Sequence, residues 1–111
     1  MEITPARGEI WWVALDPTLG SEIRKTRPCV IVSVNILNEH RRTVIVVPLS
    51  SSPRVSPPIM IAVTCDGKPA VAVTDQLRAV AKERLRSRLS VLSEEEMQTL
   101  DDGLRQIMNL G

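Results

Sequence analysis

Short apolar runs rich in Val and Ile alternate with Pro, Gly, Ser and Asn along the first three quarters of the chain. This pattern is typical of β-strands bounded by turns. Many short strands at close spacing predict a mainly β fold, a small barrel or sandwich, and argue against alternating β/α units. The predicted strands are Glu9–Leu15, Cys29–Val34, Thr43–Leu49, Ile59–Thr64, Ala70–Val73, Gln76–Ala81 and a short strand over Ser87–Leu92.

The end of the chain changes to a helical pattern. Ser93 is followed three residues later by Glu96, which is the spacing of a capping box at a helix N-terminus. We therefore expect a C-terminal helix of roughly four turns. One face of this helix can pack on the sheet, because its apolar residues recur at helical spacing: Met97, Leu100, Leu104, Ile107 and Met108.

The length of 111 residues predicts one domain, spanning residues 1–111, with a single hydrophobic core. No apolar run reaches the ~18 residues that a transmembrane helix requires. The first residues lack a signal-peptide pattern, so we expect a cytoplasmic protein. The net charge of +1 divides into +5 for residues 1–92 and −4 for residues 93–111, and the basic part suits a polyanion.

Scarce residue types exclude several kinds of site. His40 is the one histidine, it lies in a turn-like segment, and the chain has no Tyr or Phe. A His-rich metal site is therefore impossible, and no carboxylate cluster resembles a two-metal nuclease site. We expect an enzyme acting on nucleic acid here to need no metal ion or other cofactor. Base stacking would rest on Trp11 and Trp12 alone, so we expect it to contribute little.

Neighbouring positions in a strand point to opposite faces, so Trp11 and Trp12 are expected to differ, one in the core and one at an interface. Two cysteines, Cys29 and Cys65, are too few for a disulfide scaffold. We expect both to be free thiols, with Cys29 in the core.

Two long polar connections carry the candidate chemistry. Residues 16–27 contain three cations, Arg24, Lys25 and Arg27, and Pro28 follows at the start of a buried strand. A guanidinium there could bind a phosphate through two parallel hydrogen bonds, although a solvated charge run explains the same residues. Residues 50–58 begin with three serines, whose hydroxyls could donate to a phosphate oxygen or cap a turn.

A third candidate is the segment Asp75-Gln76-Leu77-Arg78 at the start of a predicted strand. Alternation would place Gln76 and Arg78 on the same face of the sheet. There they could line a site or form a cross-strand ion pair.

Several motifs together resemble the MazF/PemK family of bacterial toxins. The resemblance begins with residues 7–13, R-G-E-I-W-W-V, and continues with residues 16–22, D-P-T-L-G-S-E, and residues 25–28, K-T-R-P. It extends through V-P-L-S-S at residues 47–51 and D-Q-L-R at residues 75–78, and it covers essentially the whole chain. Each motif alone is weak, and their combination is specific.

The resemblance implies a small SH3-like barrel of about six or seven short strands with a C-terminal helix. It also implies a homodimeric toxin that cleaves single-stranded RNA, chiefly mRNA, at specific sequences without a metal ion. The products would carry 2′,3′-cyclic phosphate and 5′-OH ends. A cognate antitoxin protein would neutralise the toxin by covering its basic loop, and no membrane is implied.

The family's catalytic arginine falls on Arg27, and its catalytic threonine falls on Ser50, where the hydroxyl is kept and the methyl group is lost. The remaining residues expected near the RNA are Glu22, Arg24, Lys25, Thr26, Ser51, Arg54, Gln76 and Arg78. Two alternatives stay open at this point. One is a catalytically degenerate module that only binds, and the other is a DNA gyrase poison of the CcdB type, which shares the fold.

Overall fold

The computed structural model describes residues 4–15, 20 and 25–111. In these residues seven antiparallel strands form one curled sheet, in the order β4-β5-β3-β2-β1-β7, and β6 pairs with β3. The strands are β1 (Glu9–Ala14), β2 (Thr26–Ile31), β3 (Thr43–Ser50), β4 (Met60–Cys65), β5 (Lys68–Val73), β6 (Arg78–Ala81) and β7 (Leu85–Val91). The predicted class, a mainly β small barrel with a C-terminal helix, is confirmed.

The C-terminal helix, α2 (Glu94–Met108), begins at the predicted capping box. Its Leu100 and Leu104 are buried against one core cluster, which also contains Ile10, Val47 and Ile61. The helix lies very close to β4 at Gly103, where a methyl group would approach the Pro58 carbonyl oxygen to 3.1 Å. The apolar face of α2 therefore covers one side of the sheet, as the helical spacing of its residues predicted.

A second cluster of buried side chains lies where β1, β2, β3 and β6 curl together. Its members include Val13, Cys29, Ile31, Val44 and Val80. Val30 of β2 and Val47 of β3 belong to the first cluster, so these two strands are buried on both faces, which explains why their sequences are almost continuously hydrophobic.

Three local expectations were wrong. Residues Thr74–Gln76 form a 3₁₀ helix, so the predicted strand over Gln76–Ala81 begins only at Arg78. The strand predicted over Cys29–Val34 runs from Thr26 to Ile31, so Arg27 lies inside β2. The segment around His40, which resembles a turn, forms a short helix, α1 (Asn35–His40).

Helix α1 forms because Asn38 finds buried partners. Its side-chain amide donates to the Ser33 carbonyl oxygen at 2.9 Å, and its Oδ1 accepts from the Ser33 hydroxyl. The Ser33 hydroxyl oxygen also accepts from the Ile45 backbone N–H at 3.0 Å, which ties α1 to β3. The sequence shows polar residues here and gives no sign that Asn38 is fully buried.

Candidate active site

A cleft of about 470 Å³ opens between the ends of β2 and β3 and the hairpin that joins β4 to β5. Polar and charged groups in its lining come from Thr26, Arg27, Ser50, Ser51, Asp66 and Lys68. The apolar lining comes from Trp12, Pro28, Leu49, Pro69, Ala70 and Leu89, and Cys65 completes it. The cleft thus joins two of the three segments that the sequence singled out.

Arg27 and Ser50 reach the cleft from neighbouring strands. Strand β2 pairs with β3 in antiparallel register, with Cys29 opposite Pro48. Continuing that register by two residues places Arg27 opposite Ser50. Ser50 itself pairs with Val71 of β5, so the end of β3 lies between β2 on one side and β5 on the other. The cleft opens at this end of β3.

The Ser50 side chain is held by the turn that follows it. Its hydroxyl oxygen accepts a hydrogen bond from the Ser52 backbone N–H at 3.1 Å. In the same way the Ser52 hydroxyl oxygen accepts from the Arg54 backbone N–H at 3.3 Å. Ser50 can therefore cap the turn and also donate to a phosphate oxygen, because a hydroxyl that accepts a hydrogen bond still has its own proton to donate.

Arg27 is exposed at the cleft. Within the described ranges, the ion pairs involve other residues, and no carboxylate neutralises this guanidinium. A guanidinium carries five N–H donors and keeps its charge at physiological pH. The arrangement therefore offers a fixed positive charge and a hydroxyl donor to an anion in the cleft.

The opposite wall of the cleft is the tight β4–β5 hairpin. Cys65 pairs with Lys68, and the two residues between them, Asp66 and Gly67, have positive φ angles of 52° and 80°. Such angles at both central positions are those of a type I′ turn, which Asp-Gly favours. The Asp66 backbone N–H donates to the Ser90 hydroxyl at 3.1 Å, which anchors the hairpin on β7.

The two adjacent tryptophans differ as the strand alternation predicts. Trp11 packs against the second core cluster, and its indole N–H donates to Glu9 Oε1 at 3.1 Å. Trp12 lies opposite Pro28 of β2, lines the cleft and is 36% exposed. Trp11 is therefore the tryptophan that packs on the core, and Trp12 is the one that lines the cleft.

Both cysteines are free, as expected. Burial raises the pKa of the Cys29 thiol to about 12, although the positive charge of Arg78 opposes the shift. Partial burial also raises the pKa of Cys65, and the Asp66 carboxylate adds to the effect. Cys29 is a core residue, whereas Cys65 is half-buried and faces the cleft.

Several predicted site residues do not line the cleft. Gln76 belongs to the 3₁₀ helix, and the alternation argument for it fails because that segment is not a strand. Arg78 lies on β6, where its guanidinium donates to the Leu15 carbonyl oxygen at 3.4 Å. Arg54 is exposed in the loop after β3. Lys25 adopts a φ of 70°, and its carbonyl oxygen accepts from the Leu15 N–H, which turns the chain into β2.

Glu22 and Arg24 lie outside the described residues. Conversely, the cleft contains Asp66, Lys68 and Cys65, which sequence reasoning missed. The Asp-Gly pair is a recognisable hairpin signal, but nothing in the sequence indicates that this hairpin folds over Arg27 and Ser50.

In the part of the chain that the structure describes, no three His, Cys, Asp or Glu side chains are grouped as metal ligands would be. The helices of that part are all too short or too polar to cross a membrane.

Comparisons with known proteins agree with the fold and identify the family. The sequence profile of PemK-like, MazF-like toxins of type II toxin–antitoxin systems matches residues 6–108. Endoribonuclease MazF9 from Mycobacterium tuberculosis is 35% identical over 113 residues, which cover 94% of this chain and 96% of that protein.

Solved structures agree as well. The crystal structure of MazF from Deinococcus radiodurans superimposes with a TM-score of 0.87 at 18% identity, covering 98% of this chain and 100% of that one. A mycobacterial endoribonuclease in complex with its cognate antitoxin gives 0.80 at 23% identity, covering 96% of this chain and 97% of that one.

Proposed function

The chain belongs to the family of PemK-like, MazF-like toxins of type II toxin–antitoxin systems and is an endoribonuclease, and we propose that it cleaves single-stranded RNA, chiefly mRNA, at specific sequences. The proposed reaction needs no metal ion. It leaves a 2′,3′-cyclic phosphate on one product and a 5′-OH on the other.

The observation that carries this proposal is the meeting of Arg27 and Ser50 in one cleft, from adjacent strands in register. RNA supplies its own nucleophile, because the 2′-oxygen can attack the neighbouring phosphorus. The protein then has to position the phosphate and stabilise the negative charge that develops on it. A charged guanidinium and a hydroxyl donor suit these two tasks.

The bond changes assign a role to each residue. The bond from the 2′-oxygen to phosphorus forms as the bond to the 5′-oxygen breaks, and the 2′-proton passes to solvent. Arg27 donates to the non-bridging phosphate oxygens and offsets their charge. Ser50 donates a hydrogen bond to the phosphate or to the departing 5′-oxygen, which takes up a proton from solvent and ends as a hydroxyl. Thr26 and Ser51 line the same cleft and contact the neighbouring sugar-phosphate groups.

The remaining predicted contacts belong to the wider RNA groove. Lys25 and Arg54 are exposed cations, and Arg24 is a further cation next to Lys25 in the sequence. Glu22, Gln76 and Arg78 complete the set that we propose to contact RNA.

The test is incubation of the purified protein with a long RNA of mixed sequence in EDTA, followed by mapping of the new ends. Discrete cuts with 2′,3′-cyclic phosphate and 5′-OH ends are expected. Random cuts, 5′-phosphate ends or dependence on added metal would contradict the proposed chemistry.

One observation favours a second candidate, a degenerate module that binds RNA or an antitoxin without cutting. Ser50 replaces the threonine expected from the family motif and already accepts a hydrogen bond from Ser52. Intact RNA with both the native protein and Ser50→Thr, in a folded preparation that still binds RNA, would favour this module. A gyrase pull-down tests the CcdB-like alternative.

We also propose a cytoplasmic homodimer whose partner is a cognate antitoxin. Exposed apolar side chains such as Ile36, Val91 and Leu110 support an interface between copies. The exposed cations Lys25 and Arg27 suit an acidic antitoxin segment that folds on binding. Light scattering after size exclusion measures the dimer. Competition between RNA and the antitoxin measures whether the two share the cleft.

A further inference from the structure

Trp12 is the large aromatic residue of the cleft, and its position needs an explanation. It is 36% exposed, although an indole ring is among the costliest side chains to leave in water. Its neighbour Trp11 is packed and has its indole N–H satisfied by Glu9. Trp11 therefore packs against the core, whereas Trp12 is partly exposed in the cleft that Arg27 and Ser50 also line.

We propose that Trp12 binds the nucleobase next to the phosphate that Arg27 and Ser50 hold, by stacking on its ring. This inference rests on the proposed ribonuclease function and deepens it. Trp12 acts as a base-binding residue that fixes the register of RNA in the cleft, and it takes no part in the bond changes.

The shared cleft supports this placement. Trp12 pairs with Pro28 and Val13 pairs with Arg27, so the indole and the guanidinium leave neighbouring rows toward opposite faces of the sheet. Both residues nevertheless line the same cleft, where β2 begins. A nucleotide that enters the cleft can therefore present its phosphate to Arg27 and its base to Trp12.

The lining of the cleft supplies both kinds of group. Arg27, Ser50 and Thr26 are polar and suit a phosphate. Trp12, Pro28 and Leu89 are apolar and suit the flat face of a base. Stacking accepts any base, because every base has a π-face. Trp12 is therefore expected to contribute affinity and positioning, and the polar lining to choose among bases.

The first experiment uses each tryptophan as its own reporter. The chain has two tryptophans, so Trp11→Phe leaves Trp12 as the single fluorophore and Trp12→Phe leaves Trp11. Each variant is titrated with a single-stranded DNA copy of the mapped cleavage site, which lacks the 2′-hydroxyl and stays intact. The DNA should quench Trp12 and leave Trp11 nearly unchanged. Equal quenching, or binding by anisotropy without quenching of Trp12, would overturn the inference.

The second experiment measures cleavage. Trp12→Ala and Trp12→Leu should both lose about ten- to a hundredfold in kcat/KM, mostly through KM, since one stacked base is lost. Trp12→Phe keeps an aromatic face and should stay within about threefold of the native protein. Unchanged kcat/KM in Trp12→Ala would refute the stacking role and leave the ribonuclease intact. A native protein that cuts no RNA would instead refute the proposed function.

A second copy of the chain is the alternative occupant of this face. In that case Trp12→Ala would shift the protein from dimer to monomer, and the emission of Trp12 would respond to dilution of the protein and not to DNA. Either result would overturn the proposal.

Discussion

Glu96 accepts a hydrogen bond from the Thr64 backbone N–H at 2.6 Å while it closes the capping box of α2 with Ser93. One carboxylate thus serves both the start of the helix and the free edge of β4. The sequence predicted the first partner from spacing. The second depends on how α2 lies across the sheet.

This double role predicts a pH dependence of stability. Burial alone would raise the pKa of Glu96, but hydrogen bonds from Ser93 and Thr64 outweigh it and lower the pKa. A lowered folded pKa means that the stabilisation is fully present above the unfolded value of ~4.3 and is lost as the pH falls through the folded value. Glu96→Gln keeps one acceptor oxygen for the capping box but loses the charge and the second acceptor, so it should cost about 1 kcal/mol at pH 7.

The difference in unfolding free energy between native protein and Glu96→Gln should shrink below pH 4, as measured by urea denaturation. Glu95→Gln is the matched control, since Glu95 is exposed in the same helical turn. A difference that is constant from pH 7 to pH 3 would contradict the assignment.

The buried pair Ser33 and Asn38 predicts a large loss of stability. Asn38→Ala removes the partner of the Ser33 hydroxyl and of the Ser33 carbonyl oxygen, both in the interior. Leaving such groups unsatisfied costs about 1–3 kcal/mol. Thermal unfolding should show a lower Tm for Asn38→Ala. Glu39→Ala, at an exposed position of the same helix, should change the Tm little.

Arg27→Ala should lower the cleavage rate by about 10²- to 10³-fold, the usual effect of removing one donor to a developing negative charge. The side chain is exposed, so the Tm should stay close to that of the native protein. Arg42→Ala removes an exposed arginine outside the cleft and should cut RNA normally. Full activity in a folded Arg27→Ala protein would refute the catalytic role.

Ser50→Ala should lower the cleavage rate by about 10- to 100-fold, because the phosphate or the leaving oxygen loses a hydroxyl donor. Ser50→Thr should match or exceed the native rate, since it keeps the hydroxyl. Ser52→Ala is the matched control, because the Ser52 hydroxyl accepts from the Arg54 N–H in the same turn and Ser52 does not line the cleft. If Ser52→Ala is as defective as Ser50→Ala, the hydroxyl acts through loop structure.

The two cysteines should differ sharply toward iodoacetamide. Cys29 is buried and its pKa is raised to about 12, so its thiolate is scarce and inaccessible at pH 8. Cys65 is half-buried in the cleft and should react at least tenfold faster, as measured by mass spectrometry of peptides. The adduct at Cys65 should also block cleavage, and Cys65→Ser should make the enzyme resistant to the reagent. Alkylation of Cys29 in the folded protein would contradict its core position.

The sequence was sufficient for most of the fold. Alternation and turn residues located all seven strands, and the Ser93–Glu96 spacing located α2. Two of the misplaced elements, α1 and the 3₁₀ turn, have a common cause, which is a tertiary contact. Helix α1 depends on the burial of Asn38 beneath Ser33, and the 3₁₀ turn at Thr74 is held by a hydrogen bond from its hydroxyl to the Pro58 carbonyl oxygen at 2.8 Å. Neither contact has a local signature.

The residues of the candidate site also differ in whether the sequence alone reveals them. Arg27 and Ser50 could be named from motifs, because each lies beside a strand that the pattern predicts. Lys68 and Cys65 could not, because they reach the cleft only through the folding of the β4–β5 hairpin over the ends of β2 and β3.

Strand β3 pairs with β6 over Thr43–Val46, with β2 from Val46 to Pro48, and with β5 at Leu49 and Ser50. Three strands must therefore separate from it before its backbone is released. Amide protons along β3 are expected to exchange with solvent only through global unfolding. The hydroxyl of Ser50 is thus attached to a strand that three other strands hold in place. A protease that cleaves within β3 would therefore have to wait until all three neighbouring strands have separated from it.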